Sequence, residues 1–472
     1  MKLPAMFLLS LFVSCSSATK KHTTDQQVSH KKAVYPTGKV IEKVHCEKDT
    51  TIAYTLYLPS KYDTLHSWPV IVFFDAEARG MLAVSRLKKV AEQLGYIVAG
   101  SLNSKNGLPA ENYDYIAGTM IEDIRANLAT DNRRLYTAGF SGGARQAMLL
   151  ALKRADIAGV IGCSAGMPQW DQSLPSSFFY VGIAGRYDFN YAEMVNLETQ
   201  LQGSPLQHQF LYRDGVHEMP TSGEFGEAVS LIHMNAIKTN LTDRNDSLVA
   251  GFIKETEEKI SGLLRKKLLA DADHSYAMLV SQLEGLTNIS AFKEKMEELE
   301  RSPEYAVSNK QKENAGTEEK IMQQTYSQAF SGQDINWWKK AITALSVQSR
   351  SSVNPYDALM KKRVLAYIAL MAHMNYDAAV KQNNVAKEKD FLDIKVLAEP
   401  LVPMGYYLQA VYFSRTGNQQ EALTMLRKAL SLGFSDEPKL ISEPLLSFIK
   451  SSPEYTKMIE KIRNNYQKEL DK

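Results

Sequence analysis

The sequence predicts an α/β protein: a doubly wound, mostly parallel sheet over residues 34–240, followed by an all-α domain over residues 245–472. Two observations predict it. From Val34 to Asn240, continuous apolar runs alternate with stretches at helical spacing, the pattern of strands buried on both faces between crossover helices. After Asn240 the strand signals stop, and nearly everything to residue 472 reads at helical spacing with charge on one face. A chain of 472 residues is too long for one typical domain, which agrees with this division.

The first element is a leader. "MKLPAMFLLSLFVSC" carries Lys2, an apolar run from Ala5 to Val13 too short to span a bilayer, then Ser14 and Cys15. It predicts an export signal over residues 1–15. Phe12, Val13, Ser14 and Cys15 resemble a bacterial lipobox, whose cysteine is acylated after export, although Phe12 stands where leucine is usual. The alternative is an ordinary signal with an incidental cysteine. Each buried acyl CH₂ contributes about 0.8 kcal/mol, so acylation predicts a membrane-anchored lipoprotein, periplasmic or at the cell surface. Residues 16–33, beginning "SSATKKHTTDQQVSHKK", hold almost nothing apolar and predict a disordered tether. Cys46 and Cys163 make no disulfide framework, and two free thiols are expected, with Cys163 on a buried strand.

Next come the alternating elements. "TIAYTLYLP" reads as an amphipathic strand and "WPVIVFFDAE" as a buried one, with "LKKVAEQLG" helical after it. "YIVAGSLN", "RLYTAGF", "IAGVIGCSAG", "SSFFYVGIAG" and "QHQFLYRDG" continue the strands. "IEDIRANLA", "ARQAMLLALKRA", "NYAEMVNLETQLQ" and "EFGEAVSLIHMNAIK" are the helices between and after them. In the second half, "AVSNKQKENAGTEEK", near residues 306–320, is so polar that a loop or frayed helix is expected. Across about 405–434, Tyr406, Ala410, Phe413, Ala422, Leu426 and Ala429 fall at tetratricopeptide spacing, where small residues let helices cross closely. The competing description is a generic helical bundle. SPEY at 302–305 and again at 452–455 is a faint sign of duplication.

The chemistry starts at "LYTAGFSGGARQAM". A strand-type run ends in GFSGG and a helix-forming run follows at once, the setting in which a GxSxG serine projects its hydroxyl from a sharp turn at the sheet's C-terminal edge. Ser141 is therefore the candidate nucleophile. It needs a histidine base oriented by a carboxylate. Of nine histidines, His22, His30, His45 and His66 precede it, His208 opens a strand, His233 lies within a helix, and His274 and His373 belong to the helical half. His217, in the loop "RDGVHEMP", remains. Asp188, just past the run "FFYVGIAG", is the candidate acid, with Asp214 as rival and a helix-capping role as the alternative for Asp188. For the oxyanion, the Gly142 amide is one expected donor, and Ala76 or Glu77, after "VIVFF", the other. Trp170 is either a lining residue of an acyl pocket or simply packed.

"FFDAEARG", "SLNSKNG", "DNRRLYTAGFSGGA", "GRYD" and "DGVH" together resemble the α/β-hydrolase superfamily over residues 34–240, in particular its predicted-esterase, dienelactone-hydrolase and polyhydroxybutyrate-depolymerase-like branch. The resemblance implies a serine esterase working through an acyl-enzyme without metal or organic cofactor. It does not fix the substrate, since the fold hosts many chemistries; a small-molecule or glycan-linked ester is expected. A net charge of +2, with 55 basic and 53 acidic residues, gives no electrostatic footprint for nucleic acid. Two alternatives stand beside the esterase: a serine peptidase, and an envelope scaffold with an inert hydrolase domain, whose helical half, like other concave helical surfaces, would hold a protein partner.

Overall fold

The computed structural model describes residues 34–472, so Cys15 and the tether 16–33 lie outside the described residues. The strands are β1 (Val40–His45), β2 (Ala53–Tyr57), β3 (Trp68–Asp75), β4 (Ile97–Ser101), β5 (Thr130–Phe140), β6 (Gly159–Cys163), β7 (Phe179–Gly185) and β8 (His208–Arg213). They form one sheet in the order β1-β2-β4-β3-β5-β6-β7-β8. β2 runs antiparallel to both its neighbours, and every other pairing is parallel. Helices α1 (Gly80–Leu94), α2 (Ala110–Asn127), α3 (Gly142–Lys153), α4 (Tyr191–Gln202) and α5 (Ser222–Lys238) fill the connections.

Strand alternation decides which helix covers which face. On β3, Ile71 and Phe73 enter a core shared with α1 and α5, whereas Val70, Val72 and Phe74 enter a second core shared with α2, α3 and α4. This is the doubly wound, mostly parallel α/β sheet that the apolar runs predict. Two strands differ from the expectation. β1, "VIEKVH", has little apolar signal because it is a partly exposed edge strand. β2 is buried throughout rather than amphipathic, since its tyrosines extend their hydroxyls to flanking helices. The Tyr54 hydroxyl donates to Asp123 at 2.7 Å and that of Tyr57 to Glu92 at 2.6 Å. Cys46 and Cys163 are free and buried, Cys163 on β6.

All regular elements after α5 are helical. They are α6 (Asp246–Arg265), α7 (Leu269–Leu283), α8 (Ser290–Glu300), α9 (Pro303–Ala329), α10 (Ile335–Ser351), α11 (Pro355–Lys381), α12 (Val385–Ala398), α13 (Pro403–Arg415), α14 (Gln419–Ser431), α15 (Glu437–Ser442), a 3-10 turn (Pro444–Ser451) and α16 (Tyr455–Leu470). No helix among the described residues is long and apolar enough to cross a membrane. The turns α11–α12 and α13–α14 are alike: Asn383 and Gly417 take positive φ, and Asn384 and Asn418 then cap the next helix.

The polar segment 306–320 corrects the loop expectation, because it lies inside the 27-residue helix α9. Ser302 caps that helix and Pro303 opens it. Two of its polar residues reach buried partners, while Lys310, Glu313, Asn314, Glu318 and Lys320 stay exposed: Lys312 pairs with Asp271 at 2.8 Å, and Glu319 receives the Arg363 guanidinium at 2.6–3.0 Å. The SPEY at 302–305 starts α9 and the one at 452–455 precedes α16, so each is a helix-entry turn.

The helical half shares a core with the sheet half. Leu231 and Ile232 of α5 join one buried cluster with Phe252 of α6, Leu279 of α7 and Val364 of α11. A buried charge network sits in the same seam. Arg186, just past β7, donates to Asp271 of α7 at 2.6 Å, and Arg363 of α11 donates to the Arg186 carbonyl at 3.0 Å. Burial alone would raise the Asp271 carboxyl, but Lys312 and Arg186 outweigh it and hold it well below its ordinary 3.8.

A carboxyl depressed on folding stabilises the protein above its unfolded pKa and loses that contribution as pH falls through the folded one. Asp271→Asn leaves two buried cations short of a counter-charge and is expected to cost about 3–5 kcal/mol at pH 7. Urea titrations at pH 7 and at pH 4 and below check this. The variant is expected to lose less stability on acidification than the wild type, and equal losses would count against the assignment.

Candidate active site

Ser141 sits where β5 ends and α3 begins, with φ +54 and ψ −123, a conformation a non-glycine residue holds at a cost of about 1–3 kcal/mol. The flanking glycines make the turn sterically feasible. A β-carbon at position 139 would lie 2.2 Å from the Gly143 carbonyl oxygen, and one at 143 would lie 2.2 Å from that of Phe74. The first turn of α3 therefore packs directly on β3, and the serine hydroxyl stands above the sheet edge.

The structure brings the three predicted side chains together. His217 Nε2 lies 3.1 Å from Ser141 Oγ, and His217 Nδ1 lies 3.0 and 3.1 Å from the Asp188 carboxylate oxygens. An ionised carboxylate only accepts, so Asp188 places the imidazole proton on Nδ1 and leaves the Nε2 lone pair facing the hydroxyl. Asp188 is fully buried, while His217 keeps 20% of its side chain exposed. The ring is gripped by aromatics: Phe189 stacks on it at 4.2 Å and Phe140 meets it at 4.9 Å. Asp188 also accepts from the Asn190 amide at 2.8 Å, and Asn190 is the residue that precedes α4, so Asp188 is not that helix's cap.

The other candidates sort themselves by their partners. Asp214 pairs with Lys266 and, at 3.4 Å, with Arg186, and makes no contact with His217. His208 contacts the Leu206 carbonyl, His233 faces Tyr96, and His274 pairs with Glu198. Trp170 is half-buried in the segment after β6.

The loop after β3 is ordered by Asp75. Its carboxylate accepts from the Glu77 amide at 2.8 Å, the Arg79 amide at 3.3 Å and the Arg79 guanidinium at 2.9 and 3.0 Å. With its proton committed to Asp75, the Glu77 amide drops out as an oxyanion donor. The Ala76 and Gly142 amides make no such bond, and the Ala76 carbonyl is held by the Asn106 amide at 2.8 Å. Asn106, which the sequence did not single out, also brings its side chain against Gly142: a β-carbon there would lie 1.9 Å from its Oδ1.

The helical half reaches these loops. Lys362 lies over the Tyr187 ring at 4.5 Å, Arg363 over Tyr191 at 4.4 Å, and Lys439 approaches Glu77 at 4.0 Å. Glu399, at the end of α12, has its carboxyl raised above its ordinary value by burial, with Lys395 and His217 opposing and Asp188 adding to the rise. No cluster of three or more potential metal ligands occurs among the described residues.

No protein-family model matches the chain, and no curated protein matches it. Solved structures with likeness to part of it include a ferulic acid esterase, 17% identical, spanning 40% of this chain and 94% of its own, with a TM-score of 0.33. The fluorophosphonate-binding serine hydrolase FphF of Staphylococcus aureus is 14% identical over 44% of this chain and 100% of its own, with a TM-score of 0.34. A Bacillus cereus carboxylesterase is 16% identical over 40% of this chain and 96% of its own, with a TM-score of 0.33.

The close approach of α3 to β3 carries its own test. Gly143→Ala is expected to cost at least about 1–3 kcal/mol, because the added methyl must displace backbone. Chemical denaturation measures it, and a variant as stable as the wild type would contradict the packing described.

Proposed function

We propose that the protein is a serine hydrolase acting on carboxylic esters through an acyl-enzyme. The observation that carries this reading is the unbroken line from Asp188 through His217 to Ser141, drawn from three separate strand ends. In the proposed reaction Ser141 Oγ attacks the ester carbonyl carbon while His217 Nε2 takes the hydroxyl proton. Asp188 stabilises the imidazolium through Nδ1. The tetrahedral oxyanion sits against the Gly142 and Ala76 amides, each worth about a hundredfold or more in rate. Collapse breaks the bond to the leaving alkoxide, which receives the proton from His217. Water then enters, gives its proton to His217 and attacks the acyl carbon, and the acid leaves as the proton returns to Ser141.

The proposed substrate is an ester on a small molecule or linked to a glycan, met at the cell envelope. The leader ending in Cys15 supports a lipid anchor, and residues 16–33 a polar tether between anchor and sheet domain. The helical half is proposed to be tetratricopeptide-like and to offer a protein-binding surface. Asn384 and Asn418, which cap equivalent helices after equivalent turns, stand one such period, about 34 residues, apart.

A fluorophosphonate probe and p-nitrophenyl acetate and butyrate test the chemistry. The wild type is expected to be labelled and to turn over both esters. Ser141→Ala abolishes labelling, and Asp188→Asn lowers kcat by about 10⁴ by favouring the wrong tautomer. A folded wild type that takes no label would overturn the reading. Turnover of peptide anilides without ester turnover would move it to amides.

The anchor has a separate test. Cys15→Ser is expected to shift the exported protein from the membrane fraction to the soluble one and to abolish incorporation of a fatty-acid label. Continued membrane association with no label in either form would reject acylation.

A further inference from the structure

His217 sits on a connection, residues 214–221, that has no helix or strand of its own. A loop in that position needs partners for its carbonyls, and two buried arginines supply them. Arg213, at the end of β8, donates from Nη2 to the Val216 carbonyl at 3.2 Å and to the Glu218 carbonyl at 2.6 Å, one on each side of His217. Arg86, on α1, donates from Nη1 to the next two carbonyls, Met219 at 3.4 Å and Pro220 at 3.1 Å. Arg86 is 2% exposed and Arg213 8%. Arg213 also has Glu218 at 3.5 Å and Glu224 at 3.7 Å, whereas Arg86 makes no ion pair among the described residues and donates there to backbone carbonyls. A buried guanidinium without a close carboxylate is expensive to keep, and simple packing does not require one.

The second clamp reaches into the helical half. Arg86 Nε donates to the Glu469 carbonyl on α16 at 2.8 Å, and the Ser222 amide donates to the Lys472 carbonyl at 3.2 Å. The far side of the loop is stitched to the acid's loop, with the Tyr187 amide donating to the Gly215 carbonyl at 3.0 Å.

We propose that Arg213 and Arg86 are positioning residues for His217, Arg213 fixing the backbone on both sides of the imidazole and Arg86 tying the same loop to α16. This rests on the serine-hydrolase reading. The geometry makes the helical half a structural participant in the reaction: it braces the loop that presents the base. A displacement near 1 Å of a catalytic group costs on the order of a hundredfold in rate.

The test uses the full chain with Arg213→Gln, Arg213→Lys, Arg86→Gln and, as a control on an exposed ion pair, Arg427→Gln. Fluorophosphonate labelling separates rate from amplitude: amplitude counts folded, competent sites, and rate reports how well His217 is aligned. The expected result is a drop of about a hundredfold in labelling rate and in ester kcat per labelled site for Arg213→Gln, with KM within about threefold. Arg86→Gln is expected to fall in the same direction and Arg213→Lys to recover part of the loss, because one ammonium still reaches a carbonyl. Arg427→Gln matches the wild type. Reduced amplitude with unchanged rate in both glutamine variants would assign the arginines to stability alone and overturn the inference. An unlabelled, folded wild type would instead overturn the hydrolase reading on which it rests.

Discussion

The contact between the first turn of α3 and the end of β3 sets the terms for everything else at the sheet edge. Backbone lies against backbone at Gly143 and Phe74, with no room for a side chain. That approach forces Ser141 into positive φ, lifts its hydroxyl clear of the sheet, and brings the Gly142 amide toward the loop after β3. Strain of this kind persists only when its surroundings over-determine it, and here they do. Five of the seven strand pairings run parallel, so the C-terminal ends of β3, β5, β6, β7 and β8 all open onto the same side. His217, Asp188 and the loop after β3 each follow one of those ends.

The helical half is built into the sheet half. It shares a hydrophobic core with α5 and carries Asp271, the buried counter-charge of a guanidinium two residues from Asp188. Replacing such a pair by apolar side chains is often neutral for stability, whereas the pair also fixes where the loop after β7 sits against α7. The loops that hold Asp188 and His217 are thus each fastened to helices beyond residue 245.

Much of the site was legible because each reactive residue closes a strand that is itself unmistakable, and glycines mark the turns. The oxyanion loop was half legible. Choosing between Ala76 and Glu77 depends on which amide the Asp75 carboxylate captures, a fact of loop geometry with no periodic signal. Helix α9 was misread for the opposite reason: Lys312 and Glu319 look solvated in sequence, yet they are partners for buried charges on α7 and α11. Similar camouflage hid the likeness between the α11–α12 and α13–α14 turns. Where α14 presents small Ala422 and Ala429, α12 presents Glu388 and Lys395, and Glu388 is completely buried against Arg415. Arg86 and Arg213 were invisible as well, since an arginine on a helix or at a strand end ordinarily reads as surface.

The bond from Arg86 to Glu469 joins residues 383 apart in the chain. Closing so long a loop before any reward is collected is slow, and topologies rich in such contacts fold late. Translation delivers α1, the nucleophile turn and the histidine loop long before α16 exists to brace them. Between the synthesis of β8 and that of α16, then, the nascent chain can hold an α/β sheet whose His217 loop lacks this brace, which comes from a helix made hundreds of residues later.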